Sequence, residues 1–137
     1  MLNFAKLATL SLLLSACADT PGNPVIKPST VARGVDSGTR QTIDDYYSVE
    51  PDCGNPGYPE IKILHMPAHG IVATENGATY PNFPKDNVRY ECNKKKVASS
   101  EVFYTSNPGY HGRDSFTLQV RFVNSNLRLV TYDVDVM

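Results

Sequence analysis

The chain has 137 residues, with 13 Lys and Arg against 14 Asp and Glu, a formal net charge of −1. That balance leaves no basic excess for nucleic acid, and no basic amphipathic helix is present for a membrane surface. The length allows one compact domain of about 100 residues once the amino-terminal segments are set aside.

Residues 1–16 hold Lys6 followed by the short apolar run from Leu7 to Leu14, and Leu14-Ser15-Ala16-Cys17 follows directly. The run is too short to cross a bilayer core of about 30 Å as a helix, so it reads as a targeting signal. The tetrad resembles the lipobox of bacterial lipoproteins, in which Cys17 is the lipidated residue. An ordinary secretory signal cleaved after Ala16 is the alternative. Cysteine suits lipidation because its thiolate accepts a diacylglycerol as a thioether, and two or more acyl chains give a stable anchor where one does not. In the familiar sorting rule an Asp directly after the cysteine retains a lipoprotein at the inner membrane. Here Ala18 intervenes before Asp19, so the resemblance implies a bacterial cell envelope location at the outer membrane. Residues 17–37 are rich in Pro, Gly and small polar side chains without a sustained period and read as a tether, leaving 38–137 as the folded domain. Pairing of part of this segment as an edge strand, through Val25, Ile26 and Val31, is the other reading.

With Cys17 assigned to lipid, Cys53 and Cys92 remain, and an exported, oxidising location favours one disulfide between them over two free thiols or a metal pair. It would tie a loop after the first strand to a strand around residues 88–92.

Seven short segments carry strand character. Residues 40–49 alternate through Ile43, Tyr47 and Val49, with Asp45 interrupting. A loop dense in turn formers, residues 52–59, leads to residues 60–64, where Ile61 and Ile63 share a face. Residues 70–74 follow, closed by Asn76-Gly77, a strong hairpin signal. Two prolines make residues 80–87 irregular. Val88, Tyr90 and Cys92 then alternate, and Lys94, Lys95 and Lys96 read as a solvated loop tip. Val102 and Tyr104 precede the clearest alternation, Phe116, Leu118, Val120 and Phe122 against Thr117, Gln119 and Arg121. In residues 127–136, Val130, Tyr132, Val134 and Val136 alternate while Leu127 and Leu129 take the opposite phase, which points to a bulge or to an entry buried on both sides. Short strands separated by Gly and Pro turns, with no helical period, predict an all-β Greek-key sandwich of about seven strands.

The run Tyr104-Thr-Ser-Asn-Pro-Gly-Tyr-His-Gly-Arg-Asp-Ser-Phe-Thr-Leu-Gln-Val120 resembles the signature of bacterial Ig-like and cadherin-like domains of cell-surface proteins, and Pro67-Ala-His-Gly70 resembles their inter-strand turn. The resemblance implies an Ig-like sandwich in which Pro67, His69, Gly70, Asn107, Pro108, Gly109, Gly112 and Asp114 are structural turn residues. Arg113 stands where a small polar residue is commoner, residues 80–100 are longer and more charged, and one copy occurs where the relatives come as tandem arrays.

Asp114, at the mouth of a strand, suits an Asx-type role of accepting backbone N–H groups from its turn. No nucleophile elbow and no glycosidase-like carboxylate pair appear, so no catalytic residue and no cofactor are expected. Asp133 and Asp135 read as solvated strand acids rather than calcium ligands. The expected function is non-catalytic: an interaction module, held to the membrane by its lipid, that contacts an envelope protein or a surface glycan. Tyr58, Tyr80, Tyr110 and Arg113 are the candidate contact residues, because Tyr and Arg are favoured interface types. The alternative is a periplasmic metal-binding lipoprotein using His65, Met66, His69 and His111, a donor set suited to copper more than to calcium.

Overall fold

A computed structural model of the chain describes Ile26 and residues 28–137. The expected signal segment 1–16, the expected lipidation site Cys17 and Val25 lie outside the described residues. Seven strands form two sheets: β1 (Pro28–Val35), β2 (Gln41–Tyr47), β3 (Glu60–His65), β4 (Gly70–Thr79), β5 (Val97–Ser106), β6 (Gly112–Arg121) and β7 (Leu127–Val136). One sheet has the order β1-β7-β6-β3, the other β2-β5-β4. The chain crosses between sheets at β1–β2, β2–β3, β3–β4 and β5–β6. This is the expected all-β sandwich. Every pairing is antiparallel except β1 with β7.

The core follows from the alternation. Phe116, Leu118 and Val120 of β6 and Val130, Tyr132, Val134 and Val136 of β7 face Val102 and Tyr104 of β5 and Val72 of β4. Fully burying a large apolar side chain contributes roughly 1.5–3 kcal/mol, so the three carboxy-terminal strands supply much of the driving force. Tyr104, Phe116 and Tyr132 stack in sequence, with ring centroids 6.0 and 5.0 Å apart.

Several expectations are corrected. Residues 28–35, expected to belong to a tether over 17–37, form a strand instead: Pro28–Val35 pairs in register with Leu129–Val136. As an edge strand, β1 is held through backbone bonds to β7 and the burial of Val35, which needs no apolar stripe. Ile43 and Tyr46, not Ile43 and Tyr47, point into the core. The register shift between Thr42 and Asp44 lets positions three apart share a face.

Asn76 and Gly77 do not turn the chain. They lie inside β4, paired with Ser100 and Ser99, and a side chain at Gly77 would collide with the Glu101 carboxylate that lies across it. Residues 88–92 are not a strand: Tyr90–Lys94 form a 3-10 turn. Side chains compete there for the backbone, since Asn93 bonds both the N–H and the carbonyl of Phe83, and the Arg89 guanidinium donates to the Val49 carbonyl. Val88 is exposed while Cys92 is buried. The three lysines therefore run from this turn towards β5 rather than capping a hairpin. β7 pairs with β6 without a bulge; the second register shift is in β3, between Ile63 and His65.

Candidate interaction surfaces

The two crossover turns meet at one end of the sandwich, and Asp114 joins them. Its carboxylate accepts the backbone N–H groups of Ala68 and His69, each at 2.9 Å, its neighbour Ser115 N–H at 2.9 Å, and the Tyr104 hydroxyl at 2.8 Å. The main donors come from the other turn, where the sequence pointed to Asp114's own. Burial opposes the charge, yet the hydrogen bonds from Tyr104, Ala68, His69 and Ser115 hold its carboxyl below the usual carboxylate range. Burial and the bond to Asp114 push the Tyr104 hydroxyl well above that of an ordinary tyrosine.

Gly70 makes this arrangement sterically feasible, since a Cβ there would sit 2.6 Å from the Tyr104 phenol. The His69 ring stacks on Tyr110 with centroids 4.1 Å apart, and Asn107 N–H donates to the His69 carbonyl at 2.8 Å. Gly109 and Gly112 both have positive φ, the conformation their turn requires. Tyr110 is tied down further by its hydroxyl, which donates to the Arg113 carbonyl at 2.6 Å. Arg113 lies beside Asp133 and Asp135 along a shallow depression of about 890 Å³ on the outer face of β1, β7 and β6.

The opposite end is stapled by the Cys53–Cys92 disulfide, Cα–Cα 5.2 Å. The bond joins the β2–β3 loop to the 3-10 turn. Tyr58 and Tyr80 are both about half exposed here, the Lys96 ammonium lying 5.5 Å from the Tyr80 ring. A groove of about 670 Å³ opens between the end of β2 and the β6–β7 turn, walled by Tyr47, Phe83 and Phe122 and edged by Arg89, Asn124 and Arg128. Behind it runs a polar chain that sequence reading missed, buried at Tyr46 and Tyr132 and half-buried at Asp44 and Arg33. The Tyr46 and Tyr132 hydroxyls share a hydrogen bond, Tyr132 donates to Asp44 at 2.7 Å, and Arg33 pairs with Asp44 at 3.3 Å. Burial, with the bonds to Tyr46 and Asp44, pushes the Tyr132 hydroxyl far above the ordinary tyrosine range.

The candidate contact residues thus divide, Tyr58 and Tyr80 at the disulfide end, Tyr110 and Arg113 at the other. Among the described residues no three His, Cys, Asp or Glu are placed to hold a metal ion, so His65, His69 and His111 do not assemble as one site. Met66 is exposed. Among the described residues no helix is long and apolar enough to cross a membrane.

No family model and no curated protein matches the sequence. Among solved structures, the chain is similar to the solution structure of amebosin at 12% identity and a TM-score of 0.40, over 81% of this chain and 99% of that one. A likeness this loose bears on neither fold family nor function.

Proposed function

We propose that the chain is a lipid-anchored, non-catalytic interaction protein of the bacterial envelope, its Ig-like domain contacting another envelope protein or a surface glycan. The observation that carries this reading is the Cys53–Cys92 disulfide. A structural disulfide in a small domain is at home in an oxidising, exported compartment, and it leaves Cys17 as the one cysteine free for lipid.

The direction of the chain supports a working orientation. β1 begins opposite Leu129, beside the β6–β7 turn, which is the disulfide end. Ten residues separate Cys17 from Pro28, a reach of at most about 35 Å. The link to Cys17 therefore leaves the domain at the disulfide end, on the side of Tyr58, Tyr80 and the groove, and the end with Tyr110 and Arg113 is the far one.

Metabolic labelling with an alkyne analogue of palmitate tests the anchor. The wild-type protein incorporates the label and fractionates with membranes, and Cys17→Ala loses both. A wild-type protein that is exported but unlabelled would overturn the anchoring.

A further inference from the structure

A two-sheet sandwich has four edge strands, and an unguarded edge is a template for another chain. Three of the four are guarded here. β1 begins with a proline and runs parallel to its neighbour, with the Arg33 side chain bonded to the Ile43 and Ala32 carbonyls beside it. β2 has a register break, and its Asp44 turns in to the buried Tyr132 hydroxyl. β3 has six residues, a register break and Lys62.

β4 differs from all of them. It keeps ten consecutive pairs with β5 without a shift, and its sequence contains no Pro, Lys or Arg. Ile71, near the start of the strand, is 64% exposed, and Met66 in the preceding turn is 59% exposed.

Charge selects the occupant. Across the outer face of this sheet Glu75 lies opposite Glu101, and Glu101 opposite Asp45. Arg40 is the cation paired with this row: it bonds Glu75 while its guanidinium covers the Phe103 ring at 3.6 Å. A strand added outside β4 extends the row by one position. Like charges directly opposite destabilise a sheet and opposite charges stabilise it, so the added position calls for Lys or Arg. A second copy of β4 has neither to offer.

We infer that the free edge of β4 is a strand-acceptor site for an extended segment of another polypeptide, with a basic residue opposite Glu75 and an apolar residue beside Ile71. Main-chain hydrogen bonds supply the affinity of such an addition and alternate side chains its specificity. The inference rests on the interaction reading above and specifies the chemistry of the partner.

The test uses the full-length protein in detergent and two fluorescent nine-residue peptides of alternating Thr and Val, one with a central Lys, the other with a central Glu. The Lys peptide binds at least ten-fold more tightly and slows amide exchange across Gly70–Thr79, and Glu75→Lys inverts the preference. Glu75 and its partner Arg40 are both exposed, and losing a surface ion pair costs only about 0–1 kcal/mol, so the variant keeps the fold. Equal binding of the two peptides, no protection of β4 by either, or protection of β4 that grows with protein concentration alone would each overturn the inference. If it fails while cross-linking in cells still captures an envelope protein, the strand-acceptor site falls and the interaction reading stands.

Discussion

Removing the Asp114 carboxylate tests how the two crossover turns are held. Asp114→Ala deletes the acceptor for Ala68 N–H, His69 N–H, Ser115 N–H and the buried Tyr104 hydroxyl. Hydrogen bonds to a charged group contribute about 1.5–3 kcal/mol each, and water replaces part of what the turn amides lose. The Tyr104 hydroxyl, on a side chain with no exposed surface, cannot be rescued that way. A net loss of about 3–4 kcal/mol at pH 7 follows, against about 2 kcal/mol for Asp114→Asn, which keeps one acceptor oxygen. With a urea m-value of about 1.5 kcal/mol/M, the midpoint for Asp114→Ala falls by about 2 M.

The pH dependence gives an independent check. The folded carboxyl is held below its ordinary value, so its contribution is present above the unfolded carboxylate pKa of about 3.9 and is lost as pH falls through the lower folded value. The gap between wild type and Asp114→Asn therefore narrows from pH 5 towards pH 2. A cost below about 1 kcal/mol for Asp114→Ala at pH 7, or an unchanged gap at pH 2, would refute the reasoning.

Other substitutions probe the rest of the frame. Gly70→Ala places a methyl against the Tyr104 phenol and lowers stability by about 1–3 kcal/mol, measurable by thermal melting; Tyr104→Phe in the same background relieves part of the cost. Cys53→Ser with Cys92→Ser opens a separation of 39 residues and costs about 4 kcal/mol in the chain-entropy picture, seen as a matching shift when the wild type is reduced. Tyr104 and Tyr132 have raised hydroxyl pKa values. Their contribution is complete below the unfolded tyrosine value of about 10 and declines as pH rises above it. An absorbance titration therefore shows these two ionising only with alkaline unfolding.

What could be read from the sequence follows how local each cause is. The alternation in β6 and β7 is a local pattern, and those strands and the core they build were legible from it. β1 was read as tether because its edge position depends on β7, a hundred residues away, and only Val35 is deeply buried. Asn76-Gly77 has hairpin chemistry, but ten pairs with β5 and the Glu101 side chain over Gly77 override it. Asp114 was recognisable as a backbone acceptor by its place between Gly112 and Ser115. That its donors are Ala68 and His69 depends on the packing of the sheets. The Asp44, Tyr46 and Tyr132 chain was invisible because a register shift in β2 moves Tyr46 inward, and no local signal marks the shift.

Cross-linking of the protein in cells, read by mass spectrometry beside Cys17→Ala, asks directly whether the chain meets a partner at an envelope membrane through Cys17. The expected result is a discrete envelope protein or a co-purifying surface glycan with the wild type, lost when Cys17 is replaced. The same diffuse background from both forms would contradict it.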